Sequence, residues 1–192
     1  GDVSLEGIFI DAKTALTYEV YFNNEFVYST VVNGAKTGAV TIPEGLSRDY
    51  VELTADKQTI TSLPATVRIN ATWTAPMKVA TPADTIWYNL KVSNQPRWVS
   101  SGNYTPNVYF IDETYITTDY ALWALTGNPY SGFRLINKAM GPTMVLASAS
   151  PKGSAKAGGN TYATLLPVDN LPAGYTSDWT VTISPNDDEG FY

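Results

Sequence analysis

The chain has 192 residues, 44% of them hydrophobic and only 16% charged, with a net charge of −6. It carries no basic run and its sequence pI is near 4.5, which argues against nucleic acid and anionic membrane surfaces as partners. Cysteine and histidine are both absent, so a disulfide framework, a thiolate metal site and a Ser-His-Asp triad are excluded, and the usual general base near neutral pH is missing.

Thr, Tyr, Val and Trp favour strands, and 14 Gly and 12 Pro interrupt the chain often, so the expected class is all-β. The length admits one large domain or two small ones. No run approaches the ~18 apolar residues of a membrane span, and no signal-peptide pattern is visible. No membrane insertion is expected. The aromatic, Thr- and Asn-rich, Cys-free composition suggests a bacterial protein that is secreted or held at the cell surface.

In chain order, a short apolar run from Leu5 to Ile10 precedes the clearest hairpin. Thr17–Phe22 and Glu25–Thr30 flank Asn23-Asn24, and Asn tolerates the positive φ that a tight hairpin turn needs. Thr17, Glu19 and Tyr21 alternate with Tyr18, Val20 and Phe22, which predicts one buried face. Asn33-Gly34 marks a further turn, Gly38–Ile42 a strand ended by Pro43, and Leu46–Leu53 and Thr59-Ile60 weaker continuations. Ala65–Trp73 is a strong strand with Val67, Ile69, Ala71 and Trp73 on one side. These elements predict a small β-sandwich-like domain over residues 1–80. Ala75-Pro76 and Thr81-Pro82 suit a short, stiff connector.

Residues 81–192 repeat. Trp87 aligns with Phe133, Trp98 with Met144, Asn107–Ile111 with Thr161–Leu166, and Trp123 with Trp179. Copy one spans 85–131, copy two 132–189, and 190–192 would open a third. Copy two is lengthened by Pro151–Gly159, read as a surface loop. Around Trp123, Tyr120–Leu125 reads as strand, Gly127–Gly132 as turn, and Phe133, Leu135 and Ile136 as the next strand. Four short strands in each of two copies is the pattern of a repeated β unit.

Such units, each with a Trp on the fourth strand, resemble the ricin-type β-trefoil. More specifically, Tyr120–Ala139, containing Gly127-Asn-Pro-Tyr-Ser-Gly-Phe133 and Asn137-Lys-Ala139, is similar to a phrase in trefoil-like modules of secreted or surface proteins from gut bacteria. The segments Thr17–Ser29 and Leu46–Tyr50 resemble the small β domain that precedes such modules. The resemblance implies an all-β chain with a β-trefoil-like repeat domain of about two of three copies. Glycan binding is the habit it implies. The ricin-type sugar site is not carried over residue by residue: Ser93–Pro96 and Ala139–Pro142 lack its Asp, and Tyr120–Trp123 and Ser177–Trp179 lack its Gln.

Sugar recognition needs ring faces that stack on C–H faces, beside planar polar groups that bond hydroxyls. Trp98, Tyr104, Asn94, Asn103 and Asp112 fall within one copy in loop-rich context, and Tyr130 lies in a turn. These six are the candidate ligand-binding residues, although Trp98 also admits a core reading through its partner Met144. Trp123 and Trp179 read as core. Asp112-Glu113, read as strand neighbours, would point to opposite faces, and Asp187–Glu189 reads as a solvated turn. Neither supplies the converging carboxyls of a glycosidase. Neither matches EF-hand spacing. The expectation is a non-catalytic carbohydrate-binding or accessory module of an exported bacterial protein, with no cofactor and no metal. The alternative is a structural spacer or adhesion module that binds protein.

Overall fold

A computed structural model describes residues 11–92, 95–102, 105–149 and 163–181. The described chain is all-β: thirteen strands, three single 3-10 turns at Glu44–Leu46, Glu113–Tyr115 and Asp119–Ala121, and no α-helix. It divides after Thr74 into two compact units.

The first unit holds β1 (Leu16–Phe22), β2 (Glu25–Val32), β3 (Gly38–Ala39), β4 (Val51–Ala55), β5 (Thr59–Ile60) and β6 (Ala65–Trp73). Its main sheet has the order β2-β1-β6-β4, and β3 and β5 form a separate two-stranded ladder. The β1–β2 turn is as read from the sequence: Asn23 and Asn24 take φ of 50° and 66°, the positive pair that matches strand twist in a two-residue hairpin. Alternation then decides the core. Leu16, Tyr18, Val20 and Phe22 of β1, and Val67, Ile69 and Ala71 of β6, are all buried. They lie side by side because β1 and β6 pair in parallel, Leu16 opposite Ala65 through Phe22 opposite Ala71. Tyr18 buries its phenol within reach of the backbone and donates to the Thr41 carbonyl at 2.9 Å. Burial pushes that phenol up from its ordinary pKa. On the outward face the Arg68 guanidinium sits 3.9 Å above the Tyr21 ring.

The second unit holds β7 (Trp98–Gly102), β8 (Thr105–Ile111), β9 (Trp123–Asn128), β10 (Gly132–Asn137), β11 (Gly141–Ala149), β12 (Ala163–Pro167) and β13 (Tyr175–Thr176). Its sheet runs β7-β8-β12-β11-β10-β9, with β13 on β11. Successive residues alternate between two apolar clusters. Trp123, Leu146, Val108 and Leu165 enter one, and Ala124, Ile136 and Val145 the other.

The hydrogen bonds around Trp123 and Trp179 are alike, but they put Tyr88, and not Trp87, in the place of Phe133. In the first copy Tyr88 and Trp123 exchange backbone bonds of 2.7 and 2.8 Å, and in the second the Trp179 N–H donates to the Phe133 carbonyl at 2.8 Å. Each indole also donates inward, Trp123 Nε1 to the Val99 carbonyl at 2.9 Å and Trp179 Nε1 to the Leu146 carbonyl at 2.8 Å. So Trp123 ties the Tyr88 segment to β7, and Trp179 ties β10 to β11. Trp123 is fully buried and Trp179 partly so.

The Tyr120–Ala139 phrase forms the expected strand, turn and strand, with the first strand shifted toward the turn. The segment Asp119–Ala121 is a 3-10 turn, and β9 starts only at Trp123 and runs on through Gly127 to Asn128, opposite Gly132. The reason lies in two asparagines. Asn128 Oδ1 accepts the N–H groups of Tyr130 and Ser131, both at 2.9 Å, which closes a tight turn beyond the strand. Asn137, fully buried, donates from Nδ2 to the Tyr120 and Leu122 carbonyls at 2.8 and 3.2 Å. Its Oδ1 accepts the Ser101 hydroxyl at 2.9 Å and the Ala139 N–H at 3.2 Å. Every hydrogen-bonding atom of the Asn137 side chain is therefore used, which anchors three separated segments at one point.

The segment expected as a connector belongs to the second unit. Val79 bridges Leu125, and the Ala80 N–H donates to the Leu125 carbonyl at 2.7 Å.

Candidate functional site

The β7–β8 ribbon and the residue just beyond it carry Trp98 and Asp112, two of the three described candidates. Its register pairs Trp98 with Ile111, Val99 with Phe110, Ser100 with Tyr109 and Ser101 with Val108. Residues directly opposite share a face, and side chains alternate along each strand. Val99 and Val108 belong to the core cluster around Trp123, which fixes the inner face. Trp98, Tyr109 and Ile111 therefore lie on the other face. Trp98 and Tyr109 stand in the diagonal relation that long aromatic side chains span. Between them Ser100 is buried, its hydroxyl turned to the Ser101 carbonyl at 3.0 Å, so a small residue separates two large rings.

Polar groups surround the pair. Lys91 bridges Trp98 across the neighbouring segment, and its ammonium lies 5.9 Å from the indole centroid, within cation–π range. The Asn107 amide donates to the Tyr109 hydroxyl at 3.3 Å. Asp112 pairs with Arg97 at the open end of the ribbon, with both side chains largely in water. Such an exposed pair contributes about 0–1 kcal/mol to stability and leaves the carboxylate and guanidinium within reach of a ligand. Tyr109 is 49% exposed and Trp98 half-buried, while Phe110, opposite Val99 on the other face, is 57% exposed. A half-buried indole keeps one surface for packing and one for contact, so it belongs wholly to neither the core nor a free platform.

Of the six candidates, Trp98 and Asp112 come together, since Asp112 follows the partner of Trp98 in the ladder and binds the residue before it. Tyr130 is elsewhere, half-buried in the β9–β10 turn with its N–H on Asn128. Asn94, Asn103 and Tyr104 lie outside the described residues. Asp112 and Glu113 are not neighbours on a strand as expected. Strand β8 ends at Ile111, Asp112 is extended, and Glu113 opens a 3-10 turn.

Sequence reasoning missed Lys91, Asn107 and Tyr109. The period-2 pattern of Asn107–Ile111 held the signal for two of them, because it places Asn107, Tyr109 and Ile111 on one face. Lys91 carried no such mark. It reaches Trp98 only through a single bridge.

Among the described residues, no three acidic side chains gather where a metal ion could be held. Among the described residues, no helix is long and apolar enough to cross a membrane. No family model, curated protein or solved structure matches the chain.

Proposed function

We propose that the chain is a non-catalytic carbohydrate-binding or accessory module of an exported bacterial protein, with its contact face on the β7–β8 ribbon. The observation that carries this reading is the Trp98–Tyr109 diagonal, with a buried serine between the rings and the Lys91, Arg97, Asn107 and Asp112 side chains nearby. Aromatic faces pack on the apolar C–H faces of pyranose rings, and amide, carboxylate and guanidinium groups bond the hydroxyls. The resemblance of the Tyr120–Ala139 phrase to trefoil-like modules of gut bacteria supports the same reading. Asn128 and Asn137 of that phrase act as scaffold, holding the turn and the buried junction, while the contact groups come from the β7–β8 ribbon of copy one.

Binding of this kind rests on a few stacking and hydrogen-bond contacts, so a weak affinity is expected, with Kd of roughly 0.1–1 mM. Affinity electrophoresis through gels containing a panel of polysaccharides tests it. Retardation by one glycan class is expected. It should fall about tenfold in Trp98→Ala, the loss of roughly 1.4 kcal/mol, and by a smaller factor in Tyr109→Ala. A folded chain that runs unretarded through every gel of a broad panel would overturn the proposal.

The second reading, a protein-interaction module, is favoured by a different observation. Four large apolar side chains of β2 are exposed on the edge of the first sheet.

A further inference from the structure

Trp98 stands in the middle of a row. Lys91 is its bridge partner on one side and Ile111 its ladder partner on the other, and directly opposed residues share a face, so the three lie in line across that face. Lys91 is exposed. The contact that the described residues give its ammonium is the Trp98 ring, at 5.9 Å from the centroid, and none of the ion pairs among the described residues includes it. Asp112, which follows Ile111, is held by Arg97 instead, and Asp119 by Lys138 at 2.8 Å. In a chain with 18 acidic residues against 12 basic ones, the indole at the centre of the contact face therefore has a cation as its neighbour, and that cation has no carboxylate partner among the described residues.

An ammonium in that place acts against one class of sugar and for another. A neutral pyranose that stacks on the indole competes with Lys91 for the ring, and the cation loses its aromatic partner without gaining a charged one. A uronic acid residue carries its carboxylate directly on the pyranose ring. Stacked on Trp98, it keeps the C–H contact and sets the carboxylate at the ring edge, where the displaced ammonium can donate a charge-assisted hydrogen bond to it. Acidic residues elsewhere in the chain do not cancel this attraction, because exposed charges farther apart than about 8 Å are largely screened at physiological salt. We propose that the ligand of this face is an acidic glycan, recognised through the carboxylate of a uronic acid residue, and that Lys91 is the residue that selects it. The inference rests on the glycan-binding reading of the β7–β8 ribbon.

Tetramers of galacturonic, mannuronic and guluronic acid, each beside its own methyl ester, form the test, because esterification removes the charge and leaves the ring. Titrations with the full chain are read by saturation transfer to the sugar protons. One acid should bind about five- to tenfold more tightly than its ester, from the cation–π contact that the ester displaces and the ion pair that the acid gains. The difference should shrink as salt is raised. In Lys91→Gln, checked for an unaltered circular dichroism spectrum, the acid should weaken and the ester tighten until the two converge, whereas Lys91→Arg should keep the difference. Equal affinity of acid and ester in the parent, or an unchanged difference in Lys91→Gln, overturns the inference and leaves glycan binding standing. A sulfated neutral chain that binds more tightly than every uronate overturns the carboxylate as the group recognised. Absence of binding by acids, esters and neutral polysaccharides alike removes the glycan-binding reading itself, and this inference with it.

Discussion

Asn137 is the position at which a single atom change tests the architecture of the second unit. Its side chain makes four hydrogen bonds, to the Ser101 hydroxyl, the Ala139 N–H and the Tyr120 and Leu122 carbonyls, with no exposure to water. Asn137→Ala removes all four. The Leu122 carbonyl keeps the Lys138 N–H at 2.9 Å, so the cost falls on the other three groups. A net hydrogen bond contributes about 0.5–1.5 kcal/mol, and a buried group left unsatisfied costs about 1–3 kcal/mol. Partial rescue by hydroxyl rotation and entering water brings the sum to roughly 3–5 kcal/mol, out of a typical total of about 5–15 kcal/mol. For a unit of this size that corresponds to a fall in Tm of roughly 10–20 °C. Asn137→Asp sharpens the test. The carboxylate would face two carbonyls in a dry site, which raises its folded pKa above the unfolded value of about 4. The neutral acid can donate one of the lost bonds. Stability should then be greatest below the unfolded pKa and fall as pH rises through the folded one. Denaturant melts followed by tryptophan fluorescence read both variants. If Asn137→Ala unfolds within 1 kcal/mol of the parent, or Asn137→Asp is insensitive to pH between acid and neutral, the anchoring role is refuted.

Four further outcomes follow from the geometry. Gly127 has φ of 92°, and a Cβ there would collide with the Gly132 carbonyl oxygen, so Gly127→Ala should cost about 2–3 kcal/mol in a urea melt. Gly34, at φ 64° with nothing within 4 Å of its Cβ position, should accept Asn with a change below about 1 kcal/mol. Tyr18 has its pKa raised by burial, so its contribution is fully present below the unfolded value of about 10 and is lost as pH rises through the folded one. Tyr18→Phe should cost about 1 kcal/mol at neutral pH and flatten that alkaline loss, read by melts across pH 8 to 12. Trp123→Phe and Trp179→Phe each lose one indole hydrogen bond, and the larger fall in Tm should come from Trp123, which is fully buried.

The sequence made the local chemistry legible wherever one residue type decides the backbone. Asn23-Asn24 and the alternation of Leu16–Phe22 and Ala65–Trp73 encode a hairpin and a buried face directly, and the structure has both. The parallel pairing of β1 with β6 was not legible, because strands so far apart in the chain leave no local mark of their partner. The start of β9 was misread for a related reason. Tyr120 and Ala121 look like strand residues, but the Ala121 N–H donates back to Thr118 and the Tyr120 carbonyl is held by Asn137. Tertiary hydrogen bonds decide that segment against its propensity. On the candidate face, Trp98 and Asp112 were chosen by residue type, and the structure brings them together. Their neighbours Lys91 and Tyr109 are set by register, and a one-residue slip would have put Tyr109 on the inner face.

The most direct test of the glycan-binding account is a saturation-transfer NMR titration with the glycan that retards the chain most, run on the parent, Trp98→Ala and a distant control, Tyr130→Ala. The account predicts saturation transfer to the C–H protons of the sugar in the parent and the control, and its near-complete loss in Trp98→Ala with the fold intact. Undiminished transfer in Trp98→Ala, or loss in Tyr130→Ala alone, would contradict a contact face on the β7–β8 ribbon.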